Sequence, residues 1–438
     1  MTRHRTLPAI ALLMALLLPT SARATGYAIY EQGAAALGMA GAATASVDDA
    51  SAVFFNPAAM TRLTGTNFYV GGTALAPVTS FAGRGPNPGY GVTEEMNKQV
   101  FFPPTVYVTQ KLPLGFAAGA GLNTPYGLGV EWDPVTFSGR YITTKVTMET
   151  LNGSACLAWA PNDQFSFAAG ADALYAKVLL KNRTLMVAPG GGGGQVDIAE
   201  TKLSSDYTPG YGWNAAVHYT PVPRLRVGAF YRSKVVVHVD DARAEFTQIP
   251  TGDAYVDAVV AAGLPPDQGV KTVLRFPAIA TAGVAFDPVP DWTVEADFVW
   301  YEWSLFKDLP IYFDETTSRN TTRIEDYKDS WQVRIGAEKR RGDFAYRFGY
   351  YFDRSPAPVQ AVSPLLPDAD RIGISGGLGW KFGAKKNWNL DGYALALFLD
   401  RRYGYTSNGE SDTYADYHYA GDYKTFTGML GVGLGYHF

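Results

Sequence analysis

The sequence predicts an all-β fold, a transmembrane antiparallel β-barrel of about fourteen strands with an N-terminal plug in its lumen. Three observations predict it. Segments alternating apolar and polar residues recur along the chain, the links between them alternate between tight turns and long loops, and the last segment ends the chain on an aromatic residue, Phe438.

Residues 1–24 read as an export signal: Arg3 and Arg5 precede an apolar run from Ile10 to Leu18, and Ala22-Arg23-Ala24 is a small-x-small cleavage site. The mature chain is expected to begin at Thr25. The run is about half the roughly 20 residues that a membrane-spanning helix needs, and no later stretch is longer without interruption. Cys156 is the only cysteine, so an exported chain of this size has no intramolecular disulfide and relies on a continuous hydrogen-bonded sheet. Losing Arg3, Arg5 and Arg23 from the 37 basic residues leaves 34 against 41 acidic ones, a charge that argues against nucleic acid as a partner. The 47 Gly, 27 Tyr and 24 Phe favour strands, turns and interfacial aromatics over helices.

The C-terminus carries the clearest period of two. Phe426, Gly428, Leu430, Val432, Leu434, Tyr436 and Phe438 alternate with Thr427, Met429, Gly431, Gly433, Gly435 and His437, giving one lipid-compatible face and one small or polar face. Trp292 to Tyr301, Phe344 to Asp353 and Arg371 to Phe382 repeat it, with their charges on the face that would line a wet lumen. Strands are expected near residues 66–81, 99–112, 114–123, 143–160, 164–181, 207–221, 224–248, 269–287, 291–305, 327–340, 343–353, 370–384, 388–404 and 422–438. Pro161-Asn162-Asp163, Pro221-Val222-Pro223, Asp287 to Pro290 and Arg341-Gly342 are tight turns between them. Short turns on one rim and long loops on the other are the outer-membrane arrangement.

Residues 25–65 precede the first strand and carry no strand pattern, while residues 66–438 form the barrel. Gly33 to Gly41 is small and helix-compatible, Asp48 or Asp49 is placed to cap a short helix through Val53 to Phe55, and Asn56 caps a second turn with Pro57 at its first position. One reading is a leader that merely precedes the barrel. The other is a compact plug, because Phe54 and Phe55 want burial.

Gly33 through Met60, with Asp48-Asp49-Ala50 and Phe54-Phe55-Asn56-Pro57-Ala58, resembles the N-terminal hatch of the FadL family of outer-membrane channels for long-chain fatty acids and hydrocarbons. Tyr126-Gly127-Leu128 with Ser138-Gly139-Arg140-Tyr141, and Ser355-Pro356-Ala357-Pro358 with Leu366-Pro367-Asp368-Ala369-Asp370-Arg371, are similar to later segments of that family. The resemblance implies a hatch that plugs a fourteen-stranded barrel and places a ligand pocket at Phe54, Phe55, Asn56 and Pro57. It also implies a lateral exit at a kink in the third strand, which reads Leu114 to Gly121 and offers Ala118, Gly119 and Gly121. Glycine there permits a bend; the alternative is that it simply faces a crowded lumen.

Capture of an apolar molecule from outside would fall to loop residues Leu128, Val130, Trp132, Phe137 and Arg140, with Leu185, Met186 and Val187 on the next loop. The alternative is that these loops pack against each other over the mouth. Asp253 is placed to cap an apolar helix from Ala254 to Ala262. Arg226, Arg232, Arg334, Arg347 and Arg371 face inward, where each could meet a substrate carboxylate or pair with lumen acids such as Glu295, Asp297, Glu338 and Asp353. The rival functions are a general diffusion porin and a barrel enzyme. No histidine among His218, His238, His418 and His437 sits in a nucleophile or metal pattern, and Gly190 to Gly194 reads as linker with no phosphate-loop lysine, so neither catalysis nor cofactor nor metal is expected. The expected partners are a hydrophobic small molecule, outer-membrane lipid and, through Phe438, the barrel assembly machinery of a Gram-negative bacterium. A plugged barrel needs no trimer contacts and is expected to be a monomer.

Overall fold

The computed structural model describes residues 26–187, 195–406 and 419–438. The expected signal peptide, Thr25, the Gly190 to Gly194 run, His418 and the side chain of Val187 lie outside that description.

Fourteen strands close one antiparallel ring. In order they are Thr66–Gly83, Pro104–Lys111, Phe116–Asn123 continued by Gly127–Glu131, Lys145–Trp159, Phe165–Val187, Thr208–Val222, Leu225–Arg232, Ile279–Phe286, Trp292–Tyr301, Ser330–Arg341, Phe344–Asp353, Arg371–Phe382, Trp388–Leu399 and Tyr419–His437. Each pairs with the next, and the last returns to the first with Asn67 opposite His437 and Gly83 opposite Gly421. Pairing the last strand with the first leaves neither with a free edge in lipid, where an unsatisfied backbone group is costly. Alternation sets the faces: in the last strand Phe426, Leu430 and Val432 are exposed outward, while Thr427, Met429 and Gly431 are buried inward.

Three expected strands are broken. Residues 388–404 form Trp388–Leu399 and Arg402–Thr406. Residues 224–248 form Leu225–Arg232 and Val235–Gln248, and residues 269–287 form Gln268–Phe276 and Ile279–Phe286. Pro277 lacks the N–H that would carry the ladder through the last of these breaks. The outer halves of residues 224–248 and 269–287 leave the ring and join Gln195–Ser204 in a sheet above its mouth. The same hairpin carries the helix Ala254–Gly263, whose Asp253 side chain accepts from Tyr255 N at 2.9 Å and Val256 N at 3.2 Å, as its sequence predicts.

The segment before the first strand lies inside the ring. Asn56 Oδ1 accepts from Ala58 N at 3.1 Å, so the expected Asn-Pro start holds, although the turn it opens, Pro57–Arg62, is a 3-10 helix. Asp49 does not cap the helix Ala52–Phe55; it accepts from Ser51 N at 2.7 Å in the preceding turn. Phe54 and Phe55 pack edge to face at 5.0 Å and both meet Tyr30. Burying each contributes about 1.5–3 kcal/mol. Polar groups on the wall fix the segment: Asp297 Oδ2 accepts from Ala43 N at 3.0 Å, Thr44 N at 3.0 Å and Thr44 Oγ1 at 2.7 Å, and Glu295 Oε1 accepts from Ala45 N at 2.6 Å. Asn56 Nδ2 donates to Thr44 O at 2.8 Å and to Val217 O at 3.2 Å. The wall also makes room, since a Cβ at Gly336 would stand 2.8 Å from Met39 O.

Candidate functional site

The third strand is where the ring is interrupted. Asn123 pairs with Asn152 and Gly127 with Glu149, so Thr124, Pro125 and Tyr126 stand opposite only Thr150 and Leu151. That surplus residue is a bulge. On the other edge the second strand stops pairing with the third at Val106 and Leu122. Two residues beyond Val106 stands Pro104, which has no N–H to give to the third strand, and Pro125 has none in return.

The expected bend at Ala118, Gly119 and Gly121 is not there. All three are laddered on both sides, opposite Gln110, Thr109 and Tyr107 on one and Leu157, Cys156 and Ser154 on the other. Gly119 instead admits the N-terminal segment, because a Cβ there would collide with Met60 Sδ and stand 2.8 Å from Val53 Cγ2. The opening in the pairing falls a few residues later, at Thr124 to Tyr126.

Residues 27–32 occupy that opening as an added piece of strand. Ile29 N donates to Pro125 O at 2.8 Å and Gly127 N to Tyr27 O at 2.9 Å, with Ala28 bridged to Tyr126 between them. The Gln32 side chain donates to Thr124 O at 2.6 Å and accepts from Thr124 N at 3.2 Å. Tyr27 is held by rings, with Trp303 at 4.7 Å, Phe306 at 5.8 Å, and Tyr126 and Phe276 at 6.3 Å.

Beside this segment, at the long-loop end, is a cavity of about 640 Å³. Leu75, Met148, Leu397 and Met429 line it from the lumen side, and Leu151, Val100 and Phe102 line it although they are exposed on the outside. The cavity therefore reaches through the wall at the interruption. A second space of about 100 Å³, lined almost wholly by apolar side chains such as Val178, Leu203, Leu274 and Ile311, shares Tyr27, Leu128 and Met148 with the first. At the tight-turn end the lumen is different. A space of about 420 Å³ there is bordered by Asp48, Arg224, Arg226, Asp287, Glu338 and Arg340.

Of the residues named for capture, Leu128 and Val130 border the larger apolar cavity and Leu128 also the smaller one, but from the strand Gly127–Glu131 rather than from a loop. Phe54, Phe55, Asn56 and Pro57 are buried but line none of these spaces; they form the packed interior of the N-terminal segment. Trp132 and Phe137 are not an exposed capture surface. They stack at 4.3 Å, are 1% and 2% exposed, and Trp132 Nε1 donates to Pro364 O at 3.1 Å. Arg140 is bound to Asp197 at 3.1 Å. Of the inward arginines, Arg226 pairs with Asp287, Arg347 with Glu338 at 2.7 Å and Asp391, Arg371 with Asp353 at 2.9 Å, and Arg232 lies 3.6 Å from Asp172. Among the described residues Arg334 makes no ion pair; its guanidinium lies over the rings of Tyr30 and Tyr351, at 4.1 and 4.4 Å. Glu295 and Asp297 are spent on the N-terminal segment rather than on arginine. Sequence reasoning missed Tyr27 to Gln32 and Phe101 to Pro104; the signal was Pro104 beside Pro125 on two adjacent strands.

Among known proteins, the profile of the outer membrane protein transport protein family (OMPP1/FadL/TodX) matches residues 15–438. A long-chain fatty acid transport protein of Salmonella typhi is 26% identical over 391 residues, covering 85% of this chain and 88% of that protein. Outer membrane protein P1 of Haemophilus influenzae is 25% identical over 416 residues, covering 86% and 87%. Two solved structures share the fold: a Pseudomonas aeruginosa FadL homologue, with a TM-score of 0.80 at 19% identity over 94% of this chain and 100% of that one, and the toluene transporter TodX of P. putida, with 0.71 at 17% identity over 94% and 99%.

Proposed function

This chain belongs to the outer membrane protein transport protein (OMPP1/FadL/TodX) family, and from that premise we propose that it carries hydrophobic molecules into the outer membrane of a Gram-negative bacterium and releases them sideways. Among the relatives named above are a fatty acid transporter and a toluene transporter, and the apolar cavity is the place for such a cargo here. Cargo enters from the loop end past Leu128 and meets the hatch, whose body is tied to the wall through Asp297 and Glu295. It leaves where Thr124 to Tyr126 break the third strand.

One observation carries the lateral exit: the cavity is lined at once by lumen-facing Leu397 and lipid-facing Leu151. The physical reason favours it. Moving an alkyl chain into water costs about 0.8 kcal/mol per methylene, and release into the bilayer avoids that cost. The gate is the strip Tyr27 to Ile29, held in the opening by two backbone hydrogen bonds and the side chain of Gln32. A general porin fits less well, because the hatch is packed to near-zero exposure across the lumen. We assign the chain no catalytic step, and we assign Phe438 the role of assembly signal.

Ala28 and Tyr126 form a pair flanked by, rather than joined by, hydrogen bonds, the type with the closer Cα atoms. The double variant Ala28→Cys, Tyr126→Cys can therefore be joined by a disulfide within the usual Cα range. Oxidised, it should bind an apolar ligand but lose uptake by about tenfold or more, with recovery on reduction. Full uptake by the cross-linked protein at equal surface abundance rules out this gate.

A further inference from the structure

The charges around the cavity narrow the cargo, on the premise that the cavity holds it. We propose that this protein takes uncharged apolar molecules, such as hydrocarbons, long-chain alcohols or esters, in preference to fatty-acid anions. The lining contains two cations, Arg334 and Arg371, and four acidic side chains, Glu31, Glu149, Asp353 and Asp368.

Neither arginine is offered to an incoming carboxylate. Arg334 is 1% exposed, its guanidinium carbon lies over the rings of Tyr30 and Tyr351 at 4.1 and 4.4 Å, and its nitrogens donate to Gln332 Oε1 at 2.6 and 2.9 Å and to Ala40 O at 2.5 Å. A ligand would have to break that stack and the tie to the hatch backbone together. Arg371 donates from Nε to Asp353 Oδ2 at 2.9 Å and is also faced by Asp368 and Glu31. An anion drawn to it meets carboxyl groups already in place. The pattern continues toward the mouth, where Arg140 is matched by Asp197, Lys181 by Glu200 and Arg275 by Asp308.

A neutral cargo meets none of this opposition. Its tail takes the places lined by Leu75, Met148, Leu397 and Met429, and a terminal hydroxyl can hydrogen-bond to Glu31, whose carboxylate accepts from Tyr30 N at 2.9 Å. A fatty-acid anion would instead give up its hydration without a cation free to replace it.

The test uses the purified full chain in detergent at about pH 8.5, where a carboxylic acid is ionised. Burial, opposed by Arg371, pushes Asp368 up to about 7, so it too is ionised there. Radiolabelled hexadecanol, methyl hexadecanoate and hexadecanoate are the probes, with each affinity referred to partitioning into protein-free micelles. The alcohol and the ester should bind at least about tenfold more tightly than the anion. In Glu31→Gln, Asp368→Asn the gap should shrink to under about threefold, through tighter binding of hexadecanoate. Hexadecanoate binding as tightly as the alcohol to the unaltered protein overturns the neutral-cargo assignment while leaving hydrophobic transport standing. A gap unchanged in the folded variant overturns the role given to these two acids. If none of the three probes binds, the transport reading itself fails.

Discussion

The two ends of the lumen are built from the same strands and have opposite chemistry. Above the hatch the walls present Leu75, Leu128, Met148, Leu397 and Met429 to a cavity of about 640 Å³. Below it, Asp48, Arg226, Asp287, Glu338, Arg340 and Arg347 surround spaces of about 420 Å³ each. A greasy molecule is welcome in the first and not in the second. The contrast teaches that the N-terminal segment separates a reservoir with a largely apolar lining from a charged vestibule, and the break in the third strand opens on the first, which is what the proposed exit requires.

The strongest way to break that contrast is to move charge across it. Leu128→Lys puts an ammonium where both apolar spaces meet, and should weaken binding of an apolar ligand about 100-fold, the effect of roughly 3 kcal/mol of lost contact and unpaired charge. Val289→Lys, at the vestibule and already half exposed, should leave binding within about twofold. Equal losses in ligand titrations of the two variants would mean that the reservoir is not where cargo binds.

A second test concerns the boundary itself. Gly119→Leu must push Met60 and Val53 off the wall, so the hatch loses its seat on the third strand. Planar-bilayer recordings should show little steady current for the intact protein and roughly tenfold more for the variant, at an overpacking cost of about 1–3 kcal/mol. Silent recordings from both would show that the seal does not depend on this contact.

The smallest effect is expected from the vestibule's surface pairs. Asp48 meets Arg340 at 2.5 Å, but the two side chains are 52% and 43% exposed. Asp48→Asn should therefore change stability by less than about 1 kcal/mol, read from the temperature at which the barrel loses its heat-modifiable migration. A much larger drop would make this ion pair a principal anchor of the hatch.

How much of this was legible varies by element. Strand positions were, because a period of two with one lipid face leaves a trace in every segment, as in Phe426 to Phe438. The turn at Asn56-Pro57 was too, since side-chain capping is local. The interruption of the third strand lies later than the glycines suggest, at Thr124 to Tyr126. Gly119 and Gly121 look like weak points in one strand, but whether a strand is interrupted depends on its neighbours, and here pairing stops where Pro104 comes beside Pro125. Two of the capture residues are buried for a related reason: Trp132 and Phe137 are apolar in a loop, and only the fold shows that they stack on each other, with Trp132 bonded to Pro364 O.

By itself the sequence determined an all-β membrane barrel and its strand number, because alternation and turn chemistry are written residue by residue, while for the N-terminal segment it left a leader and a plug open. Only the tertiary structure decided where the ring is incomplete, that Tyr27 to Ile29 fill the gap, and that Arg334 and Arg371 are committed before any ligand arrives. Those facts rest on groups that meet across hundreds of residues, such as Arg334 with Ala40 and Asp297 with Thr44. Pairing and charge compensation are properties of neighbours in space, which a linear pattern does not specify.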